Sequence, residues 1–231
     1  MSRVRRLGIL GGTFDPIHLG HLAAGAAARA ALGLDEVRVV PAHDPPHRAA
    51  QPRASAFHRF AMAALAIAGE RGCVLSDTEV TAEGPSFTAT TLGRLRACGY
   101  TPVELFFIIG SDAFAEIATW HDYPAVLDLS HFIVISRPAY PLAALRSRVL
   151  DLAPRMHLIQ AGGVVDAEVL AAPAVSVFLV EHATPDVSSS DIRDRVRDGR
   201  SIAGLVPPAV ERYIDRHGLY RSAGPTGPFN G

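Results

Sequence analysis

Gly11-Gly12-Thr13-Phe14-Asp15-Pro16-Ile17-His18-Leu19-Gly20-His21 lies between a short apolar run, Leu7 to Leu10, and an alanine-rich segment that continues through Leu32. That order predicts a strand, a glycine turn and a helix. Gly11 and Gly12 remove side chains where a ligand could approach the backbone, and His18 and His21, three residues apart at the helix start, face the same way. A helix N-terminus presents unpaired N–H groups and the positive end of the dipole, so an anion there meets backbone donors and imidazoles together. The stretch is a phosphate site in outline. Taken alone, the two glycines read more simply as a turn. Metal binding by the histidines is the weaker reading, because helical zinc pairs use a spacing of four and no third ligand cluster accompanies them, so no protein metal site is expected. Neither the P-loop lysine nor the G-x-G-x-x-G spacing is present.

The whole string resembles the Gly-Gly-Thr-Phe-Asp-Pro-x-His-x-Gly-His signature of the nucleotidyltransferase superfamily, in which two histidines lie against the ATP phosphates. The resemblance implies a Rossmann-like, doubly wound parallel α/β sheet. It also implies ATP-binding roles for Gly11, Gly12, Thr13 and Phe14 and catalytic roles for His18 and His21.

Outward from that motif, the chain reads as one domain over residues 1–221 and a tail, 222–231, that lacks an apolar pattern and is expected to be disordered. Its 231 residues, 48% hydrophobic and 19% charged, suffice for an ordinary globular core. A formal net charge of −1 gives no bulk reason to expect nucleic-acid or membrane partners, so small molecules are the expected ligands. Cys73 and Cys98 form no C-x-x-C pattern and read as reduced thiols of a cytoplasmic protein. The basic N-terminus lacks a following signal-type apolar run, and no stretch approaches transmembrane length. A homo-oligomer is left open. All 22 basic residues are arginine, which excludes Schiff-base chemistry, a lysyl-adenylate and a Walker lysine.

Apolar patterning predicts further strands over Glu36–Pro41, Val74–Val80, Val103–Ile109, His131–Ile135, His157–Gln160 and Val175–Val180. Helices are predicted over Ser55–Ala68, Phe87–Ala97, from Ser111, and over Pro141–Leu150, Ser188–Arg197 and Pro207–Arg216. The alternation favours a parallel sheet covered on both faces. Ligands of such sheets settle outside the carboxyl ends of the strands. The glycine-histidine turn, Pro41 to Arg48, Gly110 to Asp112 and the loop before Ser188 should therefore share one cleft.

Several segments sharpen the resemblance to bacterial nicotinate-nucleotide adenylyltransferases. Pro45-Pro46-His47-Arg48, by itself a stiff surface loop, matches that family's Pro-Pro-His-basic segment and implies substrate contacts for His47 and Arg48. Glu83-Gly84-Pro85-Ser86-Phe87-Thr88-Ala89-Thr90-Thr91 reads on its own as a helix cap. It resembles the family's Gly-Pro-Ser-Tyr-Thr segment, which assigns Phe87 and Thr88 to the pyridine ring and its carboxylate. Gly110 and Asp112 match residues beside bound nucleotide, Trp120 matches a tryptophan that stacks on the nicotinate ring, and Arg137 matches an arginine on the mononucleotide phosphate. Without the match, Asp112 is equally a helix cap and Trp120 a core residue. Val187-Ser188-Ser189-Ser190-Asp191-Ile192-Arg193 resembles the superfamily's Ser-Ser-Thr-x-x-Arg signature, implying ATP contacts by Ser188, Ser189 and Ser190 and a catalytic role for Arg193. Ser188 and Asp191 also have capping-box spacing. The chain departs from the family at Ala42 and His43, where asparagine is usual, and at His121, where tyrosine is common.

The resemblance implies transfer of the adenylyl group of ATP to nicotinate mononucleotide, giving nicotinate adenine dinucleotide and pyrophosphate, with Mg²⁺ held mainly by the ATP phosphates. A phosphate nucleophile, with a second pKa of about 6, needs no protein base. Preference for the acid over the amide is expected from backbone donors near Thr88. Pantetheine-phosphate adenylyltransferase is the nearest alternative, but its chains are shorter and typically carry threonine at the position of His18. A class I aminoacyl-tRNA synthetase fragment lacks its lysine signature here, and a non-catalytic nucleotide sensor is the rival of a different class. The protonation of His18 and His21 is open at this level, because the helix dipole lowers and a bound phosphate raises their pKa values.

Overall fold

Leu105–Gly110 (LFFIIG), His131–Ile135 (HFIVI) and Val177–Val180 (VFLV) are apolar runs without alternation, and every residue in them but Gly110 is buried. Such runs suit strands covered on both faces. In the computed structural model, which describes residues 6–45, 53–137, 142, 145 and 149–221, they form the middle of one parallel sheet. Its strands are β1 (Leu7–Gly12), β2 (Glu36–Pro41), β3 (Cys73–Leu75), β4 (Leu105–Gly110), β5 (His131–Ile135), β6 (Met156–Ile159) and β7 (Val177–Val180). They lie in the order β3-β2-β1-β4-β5-β7-β6, and each neighbouring pair is parallel.

Alternate residues of one strand enter different cores. Phe106 and Ile108 of β4 join α1 (Leu19–Leu32), α2 (Ala56–Ile67), α6 (Ser189–Arg197) and α7 (Pro208–Arg216) on one face. Leu105, Phe107 and Ile109 join α3 (Thr88–Ala97), the single turn α4 (Ser111–Phe114) and the 125–128 turn on the other. The period of two thus builds the doubly wound architecture expected from sequence. A further short helix, α5 (Ala167–Ala171), was not predicted. The strand order reverses between β1 and β4, so the crevice beyond their carboxyl ends is the switch point where such sheets bind ligands.

Two predicted elements differ. The strand expected through Val80 stops at Leu75, where Ser76 N makes the last bond to Val39 O (2.9 Å) and the Ser76 and Thr78 hydroxyls turn to each other at 2.7 Å. Hydroxyl side chains there offer the backbone a local alternative to the ladder. The helix expected from Ser111 is only one turn. Within the predicted 141–150 helix, Leu142 and Leu145 are helical and buried; most of the other positions lie outside the described residues, as do His47, Arg48 and the tail 222–231.

Candidate active site

The loop leaving β1 is shaped by what glycine omits. A Cβ on Gly12 would lie 2.8 Å from the Phe14 ring, and one on Gly20 would lie 3.1 Å from the His18 ring. Phe14 takes a φ of 52°, a conformation bulky residues seldom adopt, and its buried ring meets His21 edge-on at 5.0 Å. His18 then caps α1 from an extended backbone conformation. Its N–H donates to His21 Nδ1 (3.2 Å), and the two imidazoles stack at 3.6 Å and 26°. The glycine between the histidines is what lets the first ring lie flat against the helix start.

His18 is neutral in this arrangement. His18 is only 2% exposed, and burial, helped by the Arg137 charge, brings its pKa down to about 3. Its Nδ1 is buried with no hydrogen-bond partner among the described residues. His21 Nδ1 accepts a backbone N–H, which places that ring's proton on Nε2. The tautomer follows from the bond, and protonating Nδ1 would break it.

From the far end of the chain, α6 docks onto the same loop. Ser188 Oγ accepts from Asp191 N (3.1 Å), Ser189 Oγ donates to Pro16 O (2.9 Å), and Arg193 donates from Nη1 to Asp15 O (2.7 Å) and from Nη2 to Ser190 Oγ (3.2 Å). The expected capping box is only half made: the Asp191 carboxylate instead accepts from Arg195 Nε at 2.7 Å, because an i,i+4 arginine outcompetes the cap. At the end of β4, Ser111 Oγ accepts from Arg137 N (3.1 Å), and Arg137 Nε stands 3.9 Å from Asp112 Oδ1. A Cβ on Gly110 would collide with that carboxylate. Arg137 Nη1 also reaches Val187 O at 3.5 Å, so its guanidinium joins β4, β5 and the loop before α6 beside His18.

A cavity of about 210 Å³ opens at the glycine turn, lined in part by Gly11, Gly12, Thr13, Thr88, Phe107 and Trp120. Trp120 meets Phe107 edge-on at 6.0 Å, and Phe87 caps α3 while its ring stacks on His121 at 4.1 Å and 23°. The first N–H groups of α3 lack intrahelical acceptors, as at any helix start. Larger hollows of about 680 Å³, between α6 and α7, and about 470 Å³, beside α1, contain none of the site residues expected from sequence.

The departures from the family pattern have local explanations. His43 Nδ1 pairs with Val80 O (3.0 Å) and its N–H donates to Ser86 Oγ (2.8 Å), while Ser86 N donates to Asp44 O (2.8 Å). These bonds fasten the loop after β2 to the loop before α3. Ala42 is buried at the cavity wall.

Sequence reasoning passed over Asp15, Arg59 and Glu79. The Asp15 carboxylate, 2% exposed, accepts from Arg53 N (2.8 Å), Ala54 N (3.1 Å) and the Tyr220 hydroxyl (2.8 Å). Arg59, 1% exposed, donates to the carbonyls of Ala54 (3.2 Å), Thr13 (2.8 Å), Ala42 and His43 (2.9 Å), clamping both loops that flank β1 and β2. Glu79, buried at the cavity, accepts from Thr91 Oγ1 of α3. Arg59 had a readable signal, since it is the one charged side chain in the otherwise apolar α2 apart from the titratable His58.

A cytidylyltransferase-like family model matches residues 9–195. The chain is 41% identical over 222 residues to a Chromohalobacter salexigens protein named probable nicotinate-nucleotide adenylyltransferase, covering 95% of this chain and 97% of that one. It is 39% identical over 221 residues to the like-named protein of Pseudomonas fluorescens, covering 94% and 98%. A Plasmodium falciparum nicotinic acid mononucleotide adenylyltransferase solved with NaAD superposes with a TM-score of 0.66 at 20% identity, over 94% of this chain and 97% of that one, which shows a shared fold.

Proposed function

The chain belongs to the nicotinate-nucleotide adenylyltransferases within the cytidylyltransferase-like family, and on that premise we propose that it joins ATP and nicotinate mononucleotide across the cleft just described. The mononucleotide phosphate oxygen forms a bond to the α-phosphorus of ATP. The bond from that phosphorus to the bridging oxygen breaks, and its electron pair leaves on pyrophosphate. The attacking phosphate, with a second pKa of about 6, is largely ionised at neutral pH. The protein therefore needs to align two anions and stabilise charge on the leaving group.

One observation carries this reading. The stacked imidazoles of His18 and His21, the Ser188–Arg193 helix start and Arg137 gather by the glycine turn, and a cavity bounded by Trp120 and Thr88 opens at the same turn. The phosphate side takes its charge from Arg193 and Arg137, with the imidazoles supplying N–H donors. An arriving phosphate raises the His18 pKa from its depressed value and draws a proton to it. On the acceptor side, Trp120 offers a ring face, and the first N–H groups of α3, at the positive end of its dipole, suit a carboxylate better than an amide that brings its own donor. Gly110, Asp112, Phe14 and the serines shape the nucleotide pocket, and the family resemblance assigns acceptor contacts to His47 and Arg48.

Among the described residues no three His, Cys, Asp or Glu side chains converge as a metal site. Mg²⁺ would arrive on ATP, held mainly by the phosphate oxygens, and would offset phosphate charge there. No helix among the described residues is long and apolar enough to cross a membrane, and the free thiols of Cys73 and Cys98 support a reducing cytoplasm.

The test is pyrophosphate release from ATP and Mg²⁺ with nicotinate mononucleotide, nicotinamide mononucleotide or phosphopantetheine offered separately. Release with the first alone is expected. Equal rates with the first two would retract the acid preference, and ATP binding without release would replace the enzyme with a sensor.

A further inference from the structure

Tyr220 reaches back across the whole chain. It follows α7, where Leu219 N closes the helix on Ile214 O (3.0 Å), and a φ of 64° turns its ring inward against the core. A bulky residue pays for that backbone conformation, and the return is one hydrogen bond: the hydroxyl donates to Asp15 Oδ1 at 2.8 Å. Burial, together with the Asp15 carboxylate, pushes the Tyr220 hydroxyl far above the usual phenol range, so it stays a donor.

Asp15 is also the residue on which Arg193 rests. Arg193 Nη1 is 2.7 Å from the Asp15 backbone oxygen but 3.8 Å from its Oδ2. The guanidinium is thus anchored by a neutral carbonyl, just beyond hydrogen-bonding distance of a buried carboxylate. Three donors already occupy that carboxylate: Arg53 N on Oδ2, and Ala54 N and the Tyr220 hydroxyl on Oδ1. A buried carboxylate that loses a donor seeks another, and a cation the structure places beside it is Arg193, at 3.8 Å.

From this geometry we infer that Tyr220 is a positioning residue for adenylyl transfer: by satisfying Asp15 it keeps the Arg193 guanidinium from collapsing onto the carboxylate and leaves its charge directed at the ATP phosphates. The inference rests on the phosphate role proposed for Arg193 and extends it to a residue no motif marks. Loss of the hydroxyl leaves Oδ1 short of a donor, and the Arg193 guanidinium, 3.8 Å from the neighbouring Oδ2, turns toward the carboxylate. The charge is then spent inside the protein, and turnover falls while the acceptor cavity is untouched.

The experiment compares wild type, Tyr220→Phe, Arg193→Ala and the double variant, with pyrophosphate release and thermal melting measured on each. Tyr220→Phe keeps the ring in the core and is expected to lower kcat about tenfold, with KM for nicotinate mononucleotide within about twofold of wild type. In the Arg193→Ala background it should change kcat by less than about twofold, since a residue acting through Arg193 has nothing left to position. A kcat for Tyr220→Phe equal to wild type overturns the inference. So do two losses that multiply in the double variant, which would make the hydroxyl act independently of Arg193, or a Tyr220→Phe protein that does not fold, which would make it a stability element alone. A wild type that releases no pyrophosphate with any acceptor removes the proposed function itself and the inference with it.

Discussion

Where α6 meets the loop after β1, the walls are fixed by hydrogen bonds between distant parts of the chain: Ser189 to Pro16, Arg193 to Asp15 and Tyr220 to Asp15. Where α3 meets the 120–121 segment, the wall is closed by rings, with Phe87 on His121 and Trp120 on Phe107. The proposed phosphate side must hold charge in place, and most of its polar groups are tied to partners within the chain, His18 Nδ1 excepted. The proposed acceptor side would admit a planar ring, and its flat contacts, worth about 0.5–1.5 kcal/mol each, hold it while leaving it able to adjust. The contrast implies that damage on the phosphate side will appear in turnover and damage on the acceptor side in apparent affinity.

The largest expected effect tests the first half of that contrast. His18→Ala removes a donor from the phosphate side, and loss of one preorganised donor costs roughly 10²–10³ in kcat. KM for the mononucleotide should change little, and the melting temperature should fall by only a few degrees, because the ring stacks on His21 but leaves Nδ1 without a partner. Steady-state kinetics with a thermal melt decide it. If turnover and stability are lost together, His18 is a packing residue and the phosphate side is not what the contrast claims.

The phosphate side was also the more legible in sequence, for a physical reason. His18, Gly20 and His21 act within one turn of helix, and Ser188 through Arg193 within two, so their spacing in the chain is their spacing in space. Strands β2 and β5 were legible to the residue, from Val37, Val39 and Val40 in the first and Phe132 to Ile135 in the second. What escaped was contact between remote segments. Nothing periodic links Tyr220 to Asp15, and the use of His43 depends on Val80 O, a backbone atom that any residue would supply. The third strand was overcalled because Val80 looked like its end, when the Ser76–Thr78 hydroxyl pair had already ended the ladder.

Acid pH separates the phosphate side from the rest of the core. His18 and His131 are both buried and neutral, with pKa values lowered to about 3 and about 4, in each case first by desolvation. His131 is a structural group at the start of β5, where its Nδ1 accepts from Ser176 N at 2.9 Å. An unfolded histidine binds its proton near pH 6.5, so below that pH the unfolded chain takes up protons the fold refuses. Stability therefore falls as pH drops from about 6.5 toward the folded values, by up to about 1.4 kcal/mol per pH unit for each histidine. Urea unfolding at pH 7, 6 and 5 measures the slope, and His18→Ala should reduce it by the His18 share. An unchanged slope would mean that His18 is not desolvated in the fold.

The smallest effect belongs to the ring side and asks whether His121 contributes a flat face or a polar atom. Its ring lies over Phe87 at 23°, and Phe87 is the residue from which α3 starts. If the face matters, His121→Ala frees Phe87 and raises KM for nicotinate mononucleotide roughly 2- to 10-fold, the range expected from losing one aromatic pair. In that case kcat stays near wild type, and His121→Tyr, which restores a ring, restores KM. A polar role predicts a different pattern, in which His121→Tyr and His121→Ala are equally impaired. His121 Nε2 is 3.5 Å from Asp122 Oδ1, and both side chains are at least half exposed, so water competes for that contact while the stack keeps its area. The stack is therefore the stronger tie, and recovery in His121→Tyr is the expected result.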